Sequence, residues 1–226
     1  MAGVETIPDR LAAIRQEMAR IAQRSNRSAG DVELLCVSKT QDNTRILEAL
    51  AAGQRLFGEN RVQEAQDKWP ALKQLYPDAK LHLIGPLQSN KARQAVDLFD
   101  VIETIDRPKI AEVLAHEIQK AGKTVELYIE INIGSEPQKA GILPQSADHF
   151  IKQCREDYGL NVRGLMCIPP QGQQAAPHFA LLAQIAKRNG LAGLSMGMSA
   201  DYPIAIQLGA TIIRLGTAIF GERLKV

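Results

Sequence analysis

The sequence predicts an α/β protein, a single (β/α)8 barrel with an extra helix at its N-terminus. Three observations predict it. Eight short runs rich in Val, Ile and Leu alternate with longer helical stretches, which implies parallel strands joined by right-handed crossovers. The 226 residues divide into about 28 per unit, compact but workable for a closed barrel. A doubly wound open sheet is the rival, and it would carry a Gly-rich phosphate turn early in the chain. Here the glycines cluster at the other end.

Residues 7–24 form the first element. Ile7, Leu11, Ile14, Met18 and Ile21 recur at spacings of four and three, which aligns them on one helical face. Thr6 can cap this helix with Asp9 three residues on, a weaker form of the capping box. The helix, within residues 1–29, is expected to pack on the barrel rather than bind a partner. The strand candidates follow: Val32–Lys39, Arg55–Asn60, Leu81–Gly85, Val101–Ile105, Val125–Asn132, Val162–Ile168, Leu194–Gly197 and Ile212–Gly216. Between them lie helical segments such as Asn43–Ala52, Arg61–Leu75, Pro108–Ala121, Pro144–Tyr158 and Pro177–Asn189. Gly53, Gly122, Gly159, Gly190 and Gly209 are suited to left-handed helix caps, and prolines open several helices where a missing N–H costs nothing. No linker rich in Gly, Pro or Ser divides the chain, so residues 1–226 read as one domain.

Composition narrows the function classes. Apolar residues make up 45 % and charged residues 23 %, as in ordinary globular proteins, which excludes a disordered or collagen-like chain. The net charge of +2 is scattered, with no basic stripe for nucleic acid or a membrane surface. Cys36, Cys154 and Cys167 stand far apart, giving neither a disulfide framework nor a metal signature. The uncharged stretch from Gly164 to Ala186 is broken by Pro169, Pro170, Pro177 and glutamines, so no run can span a bilayer. The N-terminus lacks a signal-peptide apolar region, and Glu5, Asp9 and Glu17 argue against a transit peptide. A cytoplasmic location is expected.

In a barrel, function sits at the C-terminal ends of the strands. Lys39 closes the first strand after Leu34, Leu35, Cys36 and Val37. A lysine in apolar surroundings has a larger amine fraction, which Schiff-base chemistry needs; taken alone, it reads more simply as a lysine with its stem on apolar surface and its charge in water. Leu194-Ser195-Met196-Gly197-Met198-Ser199 and Leu215-Gly216-Thr217-Ala218-Ile219-Phe220-Gly221 follow the seventh and eighth strands, the usual place for a barrel's phosphate cradle. Small residues let backbone N–H groups approach phosphate oxygens, and Ser199 and Thr217 add hydroxyls; the plainer reading is that the glycines permit tight turns. Arg214 needs a partner inside an apolar strand, either a salt bridge to Glu126 or Glu130 or a cofactor's pyridine nitrogen.

Other candidates carry less. Glu59, Glu103 and Glu130 lie in strands, where two carboxylates could serve a glycosidase, but at 4 % aromatics the sugar platforms are scarce. His82 reads as a satisfied packing histidine, and Lys139 as a loop charge. Asn60 ends the second strand and could reach a ring from the side.

Val37-Ser38-Lys39, Phe57-Gly58-Glu59-Asn60, His82-Leu83-Ile84-Gly85-Pro86-Leu87-Gln88-Ser89-Asn90-Lys91 and Arg163-Gly164-Leu165-Met166, with the segment from Leu194 through Gly221, resemble successive motifs of the pyridoxal phosphate homeostasis family. The resemblance runs from about Val32 to Arg223. It implies a fold type III barrel related to the N-terminal domain of alanine racemases, with pyridoxal 5'-phosphate (PLP) as cofactor. By the same resemblance Lys39 forms the internal aldimine and Arg214 faces the pyridine nitrogen. Ser199, Gly216 and Thr217 match the phosphate positions, and Asn60 neighbours the ring. Arg61 departs from the tyrosine that relatives often carry there.

The implied role is vitamin B6 homeostasis without catalytic residues. Ten residues follow Gly216, so no second domain like the one that supplies the racemase tyrosine is expected. A low-activity amino-acid racemase or lyase is the alternative. The resemblance further implies PLP-dependent apo-enzymes as partners and a monomer, with no metal, nucleic acid or membrane.

Overall fold

The structure, a computed structural model, describes residues 5–221; residues 1–4 and 222–226, Arg223 among them, lie outside the described residues. Helix α1 (Ile7–Arg24) leads through a short 3-10 turn into β1 (Glu33–Val37), α2 (Asn43–Ala51), β2 (Leu56–Glu59), α3 (Val62–Leu75) and β3 (Lys80–Leu83). Then come α4 (Ala92–Leu98), β4 (Val101–Ile105), α5 (Pro108–Ala121), β5 (Glu126–Ile131), α6 (Ala147–Glu156) and β6 (Val162–Cys167). The chain ends in α7 (Ala175–Arg188), β7 (Gly193–Ser195), α8 (Tyr202–Gln207), β8 (Ile212–Leu215) and α9 (Thr217–Phe220). The strands pair in sequence order, all parallel, and β8 returns to β1 to close an eight-stranded barrel.

Helix α1 spans residues 7–24, as its apolar spacing predicts, and buries Ile7, Leu11, Ile14, Met18 and Ile21. The Thr6 hydroxyl accepts the Asp9 N–H at 3.3 Å, and the Asp9 carboxylate accepts the Thr6 N–H at 3.0 Å, a complete reciprocal cap. Polar contacts fasten this end of the chain to the last strand unit. Tyr202 donates to Glu17 at 2.6 Å, Arg27 to the Ile206 carbonyl at 2.6 Å and Arg10 to the Ile219 carbonyl at 3.3 Å. The five glycines expected at helix ends have φ between 61° and 99°.

Strand alternation divides the side chains into two sets. Cys36, Phe57, Leu81, Ile102, Leu127, Leu165 and Ile213 face the helices and belong to the larger apolar core. Leu35, Leu56, Val101, Tyr128, Met166 and Ile212 form a smaller cluster inside the barrel. The interior is crowded: a Cβ on Gly193 would lie 2.6 Å from the Tyr128 hydroxyl and 2.8 Å from its ring. Gly193→Ala is therefore expected to destabilise the fold by about 1–3 kcal/mol, measured by urea denaturation. Because the clash is with one ring, the double variant Gly193→Ala/Tyr128→Val should lose less than the sum of the single changes. Strict additivity would contradict this account of the interior.

Candidate functional site

The C-terminal ends of β7, β8, β1 and β2 are neighbours around one mouth of the barrel. Lys39 lies two residues beyond β1 and Asn60 directly follows β2; both are half-buried. Gly216 and Thr217 directly follow β8, and Ser199 lies in the loop after β7. The Ser199 and Thr217 side chains are exposed. Gly216 sits close against the β1 end, where a Cβ would stand 3.4 Å from the Val37 side chain and carbonyl. The turn carrying Ser199 is fixed from below: Met196 N–H donates to the Ile212 carbonyl at 3.1 Å and Arg214 N–H to the Gly197 carbonyl at 2.9 Å. Gly197 itself has φ +95°, and a Cβ there would stand 2.5 Å from the Ala205 methyl, so only glycine lets the turn pass beneath α8. Residues far apart in the chain thus reach one rim.

Arg214 lies deeper, 4 % exposed, on the interior face of β8. It donates to the Ser195 hydroxyl at 2.7 Å and to the Cys167 carbonyl at 2.9 Å. Ser195 donates onward to Glu103 at 2.5 Å, and the other Glu103 oxygen meets His82 Nδ1 at 2.6 Å. Burial opposes ionisation of Glu103. The His82 bond, the charges of His82 and Arg214 and the Ser195 hydroxyl outweigh it and hold the carboxyl below its usual range. The salt bridge from Arg214 to Glu126 or Glu130 is not formed. Glu126 stands 3.9 Å from Arg163 instead, because it lies at the opposite end of β5. A guanidinium carries five N–H groups, so these two bonds leave donors for a ligand at the mouth.

A cavity of about 250 Å³ opens at the mouth, lined by Asn60, Ile84, Thr104, Glu130, Asn132, Lys139 and Ile168 among others. Lys139 is more than a loop charge: it donates to the Pro169 carbonyl at 3.2 Å and pairs with Glu136 at 2.5 Å. Asn132 holds this loop by donating to the Glu136 and Lys139 carbonyls at 2.8 and 3.1 Å. Alternation along the fifth strand run does not reveal these contacts, because they are made in the loops beyond the strand ends. Burial and the charge of Asp106 push the Glu130 carboxyl up to about 7, with Arg214 opposing and Glu103 adding to the rise. His82 is buried and satisfied by Glu103, as a packing histidine should be. The three strand acids make no glycosidase pair: Glu59 turns outward to Trp69 of α3, and Glu103 is locked in the barrel. Among the described residues no group of three or more His, Cys, Asp and Glu side chains could hold a metal ion. Nor is any described helix long and apolar enough to cross a membrane.

Comparison with known proteins agrees with this fold. The alanine racemase N-terminal domain family matches residues 10–224. A pyridoxal phosphate homeostasis protein from Vibrio cholerae is 39 % identical, over 97 % of this chain and 98 % of its own. The Escherichia coli protein of the same name is 39 % identical, over 96 % of this chain and 97 % of its own. PipY of Synechococcus elongatus, solved with PLP bound, superposes with a TM-score of 0.82 at 38 % identity, covering 96 % of this chain and 100 % of that one. Alanine racemase of Corynebacterium glutamicum shares the fold, with a TM-score of 0.66 at 18 % identity over 94 % of this chain and 61 % of its own.

The Glu130 carboxyl gives this site a measurable pH signature. Its folded value of about 7 lies above the ordinary 4.5, so between those pH values the folded protein holds a proton that the unfolded chain has released. Its contribution is complete below the lower value and is lost as pH rises through the upper one. Glu130→Gln has no such proton. Relative to the parent, its stability in urea should rise by roughly 2–3 kcal/mol between pH 4.5 and pH 8. A difference independent of pH would show an ordinary carboxyl.

Proposed function

The chain belongs to the alanine racemase N-terminal domain family, alongside the pyridoxal phosphate homeostasis proteins, and from that premise we propose that it binds PLP and serves in vitamin B6 homeostasis without catalytic turnover. The observation that carries this reading is the convergence of four adjacent strand ends, which gather a lysine, small hydroxyl-bearing turns and a buried arginine. The bound cofactor would supply an aldehyde that condenses with a primary amine, releasing water, and a pyridine ring able to draw electrons. The residues present fit these demands.

Lys39 supplies the amine at the β1 rim. Gly216, Thr217 and Ser199 would form the phosphate cradle: the Ser199 and Thr217 side chains are exposed, and the first N–H groups of α9 have no partner within the helix. Asn60 borders the ring from β2. Arg214 would face the pyridine nitrogen and donate to it, which would leave that nitrogen unprotonated. An unprotonated ring is a weaker electron sink than a protonated one. Ser195 and the charged Glu103 hold the guanidinium in this attitude and balance it.

A carrier implies recipients, and the chemistry names them as PLP-dependent apo-enzymes. The whole chain, 1–226, acts as one PLP-binding barrel and as a monomer. Cys36, Cys154 and Cys167 are all buried thiols, which suits the reducing cytoplasm.

The test separates phosphate binding from ring chemistry. Thr217→Val keeps nearly the same volume and removes one hydroxyl donor. A hydrogen bond to a charged group contributes roughly 1.5–3 kcal/mol, so PLP affinity should fall about ten- to a hundredfold. Pyridoxal, which lacks the phosphate, should bind the variant and the parent alike. Equal weakening of both ligands would remove Thr217 from the cradle, and absence of saturable PLP binding by the parent would overturn the proposal.

A further inference from the structure

Lys39 occupies the second position of a tight turn, Ser38–Gln41, closed by the Gln41 N–H donating to the Ser38 carbonyl at 3.1 Å. The third position, Thr40, has φ +62°, a conformation that turns of this kind usually give to glycine or asparagine. A β-branched residue stays there only where its surroundings fix it. Those surroundings are a buried charged cluster on the outer face of the barrel, away from the mouth.

Lys68 of α3 is 8 % exposed, and its ammonium touches both ends of the turn, donating to the Ser38 carbonyl at 3.1 Å and the Gln41 carbonyl at 3.4 Å. Two carboxylates anchor it, Glu59 at 2.9 Å and Glu64 at 2.8 Å. Glu64 also accepts the Thr40 N–H at 2.5 Å, and Glu59, fully buried, accepts the Ser38 hydroxyl at 2.8 Å and the Trp69 indole at 3.2 Å. Three of the four residues of the turn, Ser38, Thr40 and Gln41, are thereby tied to α3 and β2. An ammonium buried this deeply is costly to desolvate, and the two carboxylates and two carbonyls offset that cost.

We propose that Lys68, anchored by Glu59 and Glu64, is a positioning residue for Lys39: it clamps the Ser38–Gln41 turn from outside the barrel and fixes the direction in which the Lys39 amine is presented at the mouth. Lys68 itself does not touch the ligand. The inference rests on the reading of Lys39 as the lysine that links PLP. In that step the Lys39 amine gives up its protons, the aldehyde carbon exchanges its oxygen for the lysine nitrogen, and one water leaves, with no oxidant or reductant involved.

Lys68→Met keeps the length and apolar stem and removes the charge and all four contacts. Three readouts test it. In the PLP-free protein, the Thr40 amide should exchange with deuterium about tenfold faster or more, since its turn is no longer held. The rate of covalent PLP attachment should fall about ten- to a hundredfold, the scale for a misdirected reactive group. Pyridoxine 5'-phosphate, which has an alcohol where PLP has the aldehyde, should bind with unchanged affinity. Lys68→Arg should restore part of the attachment rate.

Equal losses for PLP and pyridoxine 5'-phosphate would reduce Lys68 to a general structural role and overturn the proposal. So would an unchanged attachment rate with unchanged Thr40 exchange. If Lys68→Met does not fold, Glu64→Ala removes the Thr40 acceptor at a half-exposed position and must show the same pattern in weaker form. Failure of the parent to link PLP at all would strike the underlying reading of Lys39, whereas a parent that links PLP and a variant that matches it would strike the clamp alone.

Discussion

Arg214 is 4 % exposed, so the barrel interior has to supply its guanidinium with acceptors. It does so indirectly. The nearest bonds are to a hydroxyl and a carbonyl, and the balancing carboxylate of Glu103 sits one hydrogen bond further away. The relay through Ser195 compensates the charge, and three of the guanidinium's five N–H groups lie outside these two bonds. His82 closes the chain at the other Glu103 oxygen, so the buried carboxylate is itself satisfied.

Closure of the barrel is what turns these parts into a site. Glu33–Cys36 pair with Ile212–Leu215, bringing the first strand of the chain against the last. Lys39 and the Gly216–Thr217 turn become neighbours only through that seam. Helix α1 and the loop after it reinforce the seam from outside, since Arg10 and Glu17 of the helix and Arg27 of the loop reach the segments on either side of β8. Stability of the terminal elements and competence of the rim are therefore one property of the fold.

Much of this was legible in the sequence, and for physical reasons. The α1 stripe and its Thr6 cap are local signals, and the observed helix starts and stops where they say. The strands appear within a few residues of the apolar runs, shorter at most ends because the last apolar residues of a run leave the ladder at the rim. Helices α4, α8 and α9 carry no periodic signal of their own, since seven, six and four residues are too short for a 3.6-residue period to register.

The partners of Arg214 are not legible in the sequence for another reason. Alternation along β4 and β7 puts Glu103 and Ser195 on the interior face, but only closure and register bring residues 103, 195 and 214 together. Lys68 reads as one more polar residue of an amphipathic helix. Its burial follows from the turn it meets about thirty residues earlier in the chain.

The central claim is that one lysine, at the end of the first strand, holds the cofactor. The direct measurement is borohydride reduction of the PLP-loaded protein, followed by proteolysis and mass mapping of the modified peptide. The account predicts a single phosphopyridoxyl adduct, on Lys39, in near-stoichiometric yield. A comparable yield on any other lysine, with Lys39 recovered unmodified, would contradict it.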